Sequence, residues 1–566
     1  MNIKSKELKQ INQYNKAHKL LSQLYFWGLV LLVISLPFSK FMMSVAQFSL
    51  SAVLILDFMS MDKIEWFKKR FPAYQKVILI IPFFLYWVIT SLGQILKKFL
   101  RKENLPAIVF TSLYVLHVLG LLFTVDFDYA LKDLRIKLPL FVLPIIFTIS
   151  PSLDKKKFRS LMLFFATAVI AGTLISTYIL LVREIGNLRD ISIFISHIRF
   201  GLLISIAIFT LAYYATRKEE FNIYIRLLFA GMVGWLMLYL LLSASMTGMV
   251  VLFIAIFVMA IHYTLKKKNT YSRIITVTLL LTPIIILVFI MGVITDVYKI
   301  HRLDLSSLDK QTELGNYYWH DTANLQTENG YYVWLYIATN EVKDAWNQVS
   351  NYDFDGQDSR GQELKHTLYR YMTSKGLRKD AGGVAALTTQ DIALIEEGEA
   401  SSHYDDRSVF YIRLYKIIWE TQQYFRTGNP SGHSAMQRIE YWKTSWLIIN
   451  EHPLIGVGTG DMNIAFEKQY EIMDSPLEPE FRWRSHNQFL SIAVGFGIIG
   501  IIWFLVILLY PPIKKGRMTD YFYFSFFVIM VVSMLSEDTI ETQTGVTMFA
   551  LFTSLFLFGK KDKTPI

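Results

Sequence analysis

The stretch RWRSHNQFLSIAVGFGIIG, residues 482–500, joins two arginines, a histidine and an asparagine directly to a long apolar run. A helix that crosses the hydrocarbon core of a bilayer needs roughly 20 apolar residues, and charged groups at its lip are costly unless water, a partner or a substrate receives them. The rest of the chain decides that this is such a lip. Of 566 residues, 53% are hydrophobic and only 18% charged, and the mean hydropathy is +0.36, which is too apolar for an ordinary soluble protein. The stretch therefore opens a spanning helix of an all-α, polytopic membrane bundle.

Apolar windows near 21–38, 42–59, 77–96, 107–124, 137–151, 158–182, 195–214, 223–243, 247–265, 274–296, 486–510, 520–536 and 541–558 supply the other spans. The first is a retained helix rather than a signal peptide, since no small-residue cleavage site follows it. Basic loops belong in the cytoplasm, which places LKKKNTYSR (265–273), DKKKFR (154–159), PPIKKGR (511–517) and the tail GKKDK (559–563) inside, and the acidic SEDTIETQT (536–544) outside. Thirteen spans would put the lysine-rich N-terminus outside as well. The window 77–96 holds Pro82 and has KKR (68–70) and KKFLRK (97–102) on its two flanks, so it is the one expected not to cross. About twelve spans remain, with both ends inside.

Three domains follow: an N-terminal bundle of about ten helices over 1–298, an outer loop domain over 299–485, and C-terminal membrane helices over 486–566. The loop domain is polar but rich in Tyr and Trp, and stretches such as 361–380, 388–400 and 434–453 have apolar residues at helical spacing, with Thr or Asp at an N-cap position in TTQDIALIEEGEA. An α-helical domain on the outer mouth is expected.

Several chemistries drop out. With no cysteine there is no disulfide, thiolate nucleophile or cysteine-ligated metal. The net charge of +11 sits in short loops between spans, so no nucleic-acid partner is expected. NYDFDGQDSRGQE (351–363) has Asp358 where a calcium loop needs glycine and reads as a turn. GVGTG (456–460) lacks the surrounding βαβ unit of a dinucleotide site and reads as a tight turn after Pro453. No zinc-protease, Walker or nucleophile-elbow motif occurs. No cofactor and no metal site is expected.

What remains lies on one side of the membrane. Arg199 in SHIRFGLLISIA stands at the outer end of an apolar helix, a position that marks function unless the side chain snorkels to the headgroups. Arg438 lies in an amphipathic helical stretch, where an ordinary solvated arginine is the plainer reading. His486 and Asn487 stand at the re-entry point beside Arg482 and Arg484. A neutral imidazole accepts protons near pH 7, and planar guanidinium groups bind phosphate oxygens in pairs. Together they suit group transfer from a phosphate-activated donor, with arginines holding the leaving diphosphate and the histidine deprotonating an acceptor hydroxyl.

HPLIGVGTGDM (452–462) followed by SHNQFLSIAVGFGIIGIIWF (485–504) resembles the paired signature of the O-antigen ligase and O-antigen polymerase superfamily, including the His-Asn at a helix start and Gly497 and Gly500 downstream. RIEYWKTSW (438–446) is similar to the family's Arg and Trp before that motif, and 126–147 and 196–203 are similar to its earlier segments. The outer loop, with ENGYYVWLYIATNEVKDAWNQVS (328–350), is similar to a Bacteroidetes branch. One departure is SASMTGMV (243–250), with Met246 and Thr247 where many members carry an arginine; Arg482 or Arg484 is the candidate replacement.

The resemblance implies a GT-C-type, metal-independent glycosyltransferase in the bacterial cytoplasmic membrane, using a polyprenyl-diphosphate-linked glycan as donor on the periplasmic face. By position, Arg199 and Arg438 are the arginines that engage the donor diphosphate, His486 activates the acceptor, and Asn487 supports its orientation; Arg482 and Arg484 are further substrate-binding candidates. The acceptor is the lipid A core oligosaccharide for a ligase and another lipid-linked repeat unit for a polymerase; some relatives glycosylate proteins. The reading from another class is a transporter of lipid-linked glycan, which predicts inverted repeats and discontinuous midplane helices.

Overall fold

A computed structural model describes residues 2–58, 70, 73–183, 191–243, 245–266, 270–301, 303–402 and 407–560. The basic residues at 68–69, 267–268, 561 and 563 lie outside these. Helix accounts for 73% of the chain, and the one sheet among the described residues is a two-stranded hairpin pairing Thr327–Glu328 with Tyr331–Tyr332 through a turn whose Asn329 and Gly330 both have positive φ.

Among the described residues, eight helices are long and apolar enough to cross a membrane: Lys40–Phe58, Lys102–Phe123, Lys155–Val182, His197–Ala215, Ile223–Leu242, Met246–Leu265, Thr270–Tyr298 and Gln488–Lys514. Three shorter apolar helices accompany them, Lys19–Ser35, Tyr521–Ser536 and Gln543–Gly559. The window 137–151 behaves differently from a span. It forms only the 11-residue helix Pro139–Ile149, about 16 Å long at 1.5 Å per residue against a hydrocarbon core of about 30 Å. The preceding helix Phe127–Lys137 is amphipathic and meets it at Leu138. The window 77–96 lies within one helix, Ala73–Phe99, that contains Pro82.

Helix starts follow the local chemistry. Asp154, Asn222, Asn487 and Asp520 each accept hydrogen bonds from backbone N–H groups of the first turn, which satisfies donors that a helix cannot pair internally.

The chain divides into two compact units. The first comprises 1–263, 441–475 and 482–566 and holds a continuous apolar core in which Phe158, Phe165, Phe522, Phe526, Phe552 and Phe556 form a run of ring contacts. The second comprises 264–440 and 476–481. It is built on helices Thr339–Val349, Leu364–Ser374, Thr389–Glu396 and Val409–Thr427, with Trp346, Leu364, Leu368 and Tyr371 fully buried. In the Asp-rich segment, Asp358 accepts from the N–H groups of Arg360 and Gln362 and from the Thr367 hydroxyl, so this segment is a side-chain-stitched turn.

Candidate active site

The Gln488–Lys514 helix is interrupted at Gly497, whose φ of +62° and ψ of −160° are non-helical. Backbone groups freed inside a membrane helix need partners within the protein, and the loop 453–458 supplies them. Val457 and Gly458 N–H donate to the carbonyls of Val494 and Gly495, each at 2.9 Å, while Ile498 and Ile499 N–H donate to Pro453 and Leu454 at 2.8 and 3.3 Å. The glycines permit this approach. A Cβ on Gly456 would lie 2.4 Å from the Gly495 carbonyl carbon, and one on Gly497 would lie 2.3 Å from that of Leu454. The same loop continues into Asp461, whose carboxylate accepts from Val125 and Asp126 N–H. The two glycine motifs are thus one backbone-paired element, and it fixes the end of the helix that His486 and Asn487 open.

At that end Asn487 is the N-cap, its side-chain oxygen accepting from Phe489 and Leu490 N–H and its amide donating to the Leu535 carbonyl at 2.9 Å. His486 has a φ of +44°, a strained value for a non-glycine residue of the kind held in place at functional sites. Its ring stacks on Tyr441 at 5.5 Å, and Nδ1 lies 3.5 Å from a Glu537 carboxylate oxygen.

Glu537 belongs to the acidic loop SEDTIETQT, which is buried against the same helix end. Arg199 donates to the Glu537 carboxylate at 3.2 Å and to the Asp538 carbonyl at 3.3 Å, with the Asp538 carboxylate at 3.6 Å. Its side chain is 8% exposed, so it does not reach the headgroups. Glu541 accepts from Lys137 at 2.7 Å and from Gln488 at 2.9 Å, and Arg484 lies 4.0 Å away while donating to the Tyr129 hydroxyl at 2.9 Å. Lys137 in turn holds Asp133.

The cluster therefore sets three permanent cations (Lys137, Arg199, Arg484) among four carboxyl groups (Asp133, Glu537, Asp538, Glu541). Burial pushes the Asp538 carboxyl above the usual range, against the pull of Arg484, His486 and Arg199. Burial would do the same to Glu541, but Lys137 and Arg484 outweigh it and hold that carboxyl well below the ordinary value.

Of the residues expected from sequence, Arg199, Arg484, His486 and Asn487 are thus brought into one cluster. Arg482 lies outside it, with its guanidinium 5.9 Å from the Tyr470 ring centre. Arg438 belongs to the second unit and donates to the Ser434 carbonyl one turn back in its own helix. Near the departure at 243–250, Gly201 and Gly248 meet so closely that a Cβ on Gly201 would lie 3.1 Å from the Gly248 Cα; the helix carrying Arg199 is packed backbone to backbone there. Sequence reasoning left out Glu537, Asp538, Glu541, Lys137 and Asp133. Their signal was present, because SEDTIE places three carboxylates between two apolar helices, where ionisable groups mark function or pairing.

The ligand atoms of His486, Glu537 and Asp538 lie within 4.8 Å of one another, near enough to hold an ion. Arg199 contacts both carboxylates, so a fixed cation already stands where a metal would balance them.

Residues 389–505 match the family model described as O-antigen ligase. No curated protein matches the chain at a significant level. The matched segment contains Arg438, the glycine loop, and His486 with most of the helix it opens, so over this segment the chain is similar to the O-antigen ligase family, and the eight apolar helices long enough to span a bilayer fit a multi-pass membrane protein.

Proposed function

We propose that the chain is an O-antigen ligase: on the periplasmic face of the cytoplasmic membrane it transfers a polyprenyl-diphosphate-linked glycan to a hydroxyl of the lipid A core oligosaccharide. The observation that carries the reading is the strained His486 at the mouth of a membrane helix, with Nδ1 facing a buried carboxylate.

In this reaction the acceptor oxygen attacks the anomeric carbon of the donor sugar as the bond from that carbon to the phosphate oxygen breaks. The electron pair of the broken bond leaves with the polyprenyl diphosphate. The acceptor proton passes to Nε2 of His486, since Nδ1 faces Glu537, and attack from the side opposite the leaving group inverts the anomeric centre. The imidazolium so formed lies beside the Glu537 carboxylate, which stabilises it where it develops. Arg199 acts through Glu537 as a positioning residue. The fixed guanidinium beside Glu537 and Asp538 supports a mechanism that uses no metal.

The test is the surface glycan profile of cells carrying His486→Ala at wild-type membrane abundance. Loss of glycan from lipid A with long lipid-linked polymer accumulating is the expected outcome. Single repeat units attached to lipid A would identify a polymerase instead, and an unchanged profile would overturn the assignment.

A further inference from the structure

The charge balance of the cluster raises the question of where a diphosphate is received. Arg199 is paired with Glu537 and Asp538, and Lys137 with Asp133 and Glu541. A leaving group with two or more negative charges needs other cations.

Next to the cluster is a cavity of about 590 Å³ walled by the Lys40–Phe58 helix, the junction of the helices Phe127–Lys137 and Pro139–Ile149, and the loop 541–543. Lys40 and Arg135 line it, both exposed, and among the described residues neither has a carboxylate partner. Ser44 and Gln47 follow along the same wall, and then Phe48, and Val142 lines the cavity as well. Eight residues of helix separate Lys40 from Phe48, about 12 Å, so the lining passes from two cationic side chains to an apolar stretch at the exposed Phe48. Glu541 also lines it and bonds to Gln488, in the first turn of the helix that His486 precedes. The cavity and the candidate base are two hydrogen-bonded residues apart.

We infer that this cavity is the seat of the donor's diphosphate, with Lys40 and Arg135 as its phosphate contacts and the first isoprene units along Phe48 and Val142. The inference rests on the proposed transfer from a polyprenyl-diphosphate donor and assigns its anion to residues outside the arginines that the motifs single out. A guanidinium and an ammonium lining one cavity match a diphosphate's two phosphoryl groups, and the apolar stretch at Phe48 and Val142 distinguishes a lipid diphosphate from a free one.

The experiment measures binding of undecaprenyl diphosphate, undecaprenyl monophosphate and inorganic pyrophosphate to the purified full chain in phosphatidylcholine nanodiscs. Lys40→Ala and Arg135→Ala should each weaken undecaprenyl diphosphate about tenfold, the size expected for losing one charge-assisted contact. Lys40→Arg should retain it, and inorganic pyrophosphate should bind far more weakly than the lipid. His486→Ala should bind the lipid as the wild type does while transfer is lost. Wild-type binding by the Lys40/Arg135 double variant, or a loss seen only with Arg199→Ala or Arg438→Ala, overturns the inference. Equal affinity for pyrophosphate and the lipid also overturns it, since the apolar stretch at Phe48 and Val142 would then do nothing. Failure of the transfer reading shows separately, as an unchanged surface glycan profile in His486→Ala cells.

Discussion

A carboxylate oxygen of Glu537 lies 3.5 Å from Nδ1 of His486, although 51 residues separate them in the chain. A carboxylate at that nitrogen orients the ring and favours the protonated product of base catalysis. Glu537→Gln keeps the shape and removes the charge. It should lower transfer by about 10- to 100-fold with membrane abundance retained, read as rate per mole of purified protein. A rate within twofold of wild type would show that Nδ1 needs no anion.

Arg199 is nearly enclosed, with its positive charge divided between Glu537 and Asp538. Removing one member of a buried pair strands the other and costs about 3–5 kcal/mol. Arg199→Ala should therefore reduce membrane abundance as well as activity, and adding Glu537→Gln should restore abundance without restoring transfer. Quantitative blotting beside the glycan profile separates the two. An Arg199→Ala protein at full abundance with only its activity lost would mean that the arginine serves the substrate directly.

Much of this arrangement was legible in sequence because it follows from length and period. Apolar runs of about 20 residues become membrane helices, as with Lys155–Val182 and Thr270–Tyr298. Thr388 is an N-cap, and Asp391 completes a capping box with it. Two kinds of feature were not legible. The window 137–151 has the hydropathy of a span, but it follows Lys137, whose charge is buried against Asp133 and Glu541; the apolar helix starts too late to cross. And the partners of Arg199 lie 338 and 339 residues away, so no local pattern names them. The arginine's cost was visible, but whether a substrate or a protein carboxylate meets that cost is settled by tertiary structure.

The pairing of the glycine loop with the broken helix predicts a sharp contrast among glycines. Gly497→Ala places a Cβ 2.3 Å from the Leu454 carbonyl carbon and demands a left-handed conformation from alanine. Backbone on both sides prevents relief, so membrane abundance should collapse. Gly231 is in mid-helix with nothing within 4 Å of a new Cβ, and Gly231→Ala should leave the fold intact or stabilise it by about 0.5–1 kcal/mol. Comparable abundance of the two variants would argue against the paired-motif geometry.

The second unit offers a pH test outside the membrane-spanning segments. Asp391 is buried, which alone would raise its pKa, but Lys375 at 2.6 Å, the Tyr371 hydroxyl and the Thr388 N–H and hydroxyl outweigh burial and hold it at about 2. An unfolded aspartate titrates near 3.9. Because the folded value is the lower one, the unfolded chain binds the proton first as pH falls. The stabilisation is thus complete above about pH 4 and disappears as pH drops through about 2. Asp391→Asn should destabilise this unit at pH 7 by about 2 kcal/mol, the scale of a hydrogen bond to a charged group, and the gap should close near pH 2. Pepsin cleavage of the purified full chain within residues 388–396, compared between wild type and variant from pH 4 down to pH 2, reads that gap. A difference that persists undiminished at pH 2 would mean that the carboxylate's charge does not hold the capping box together.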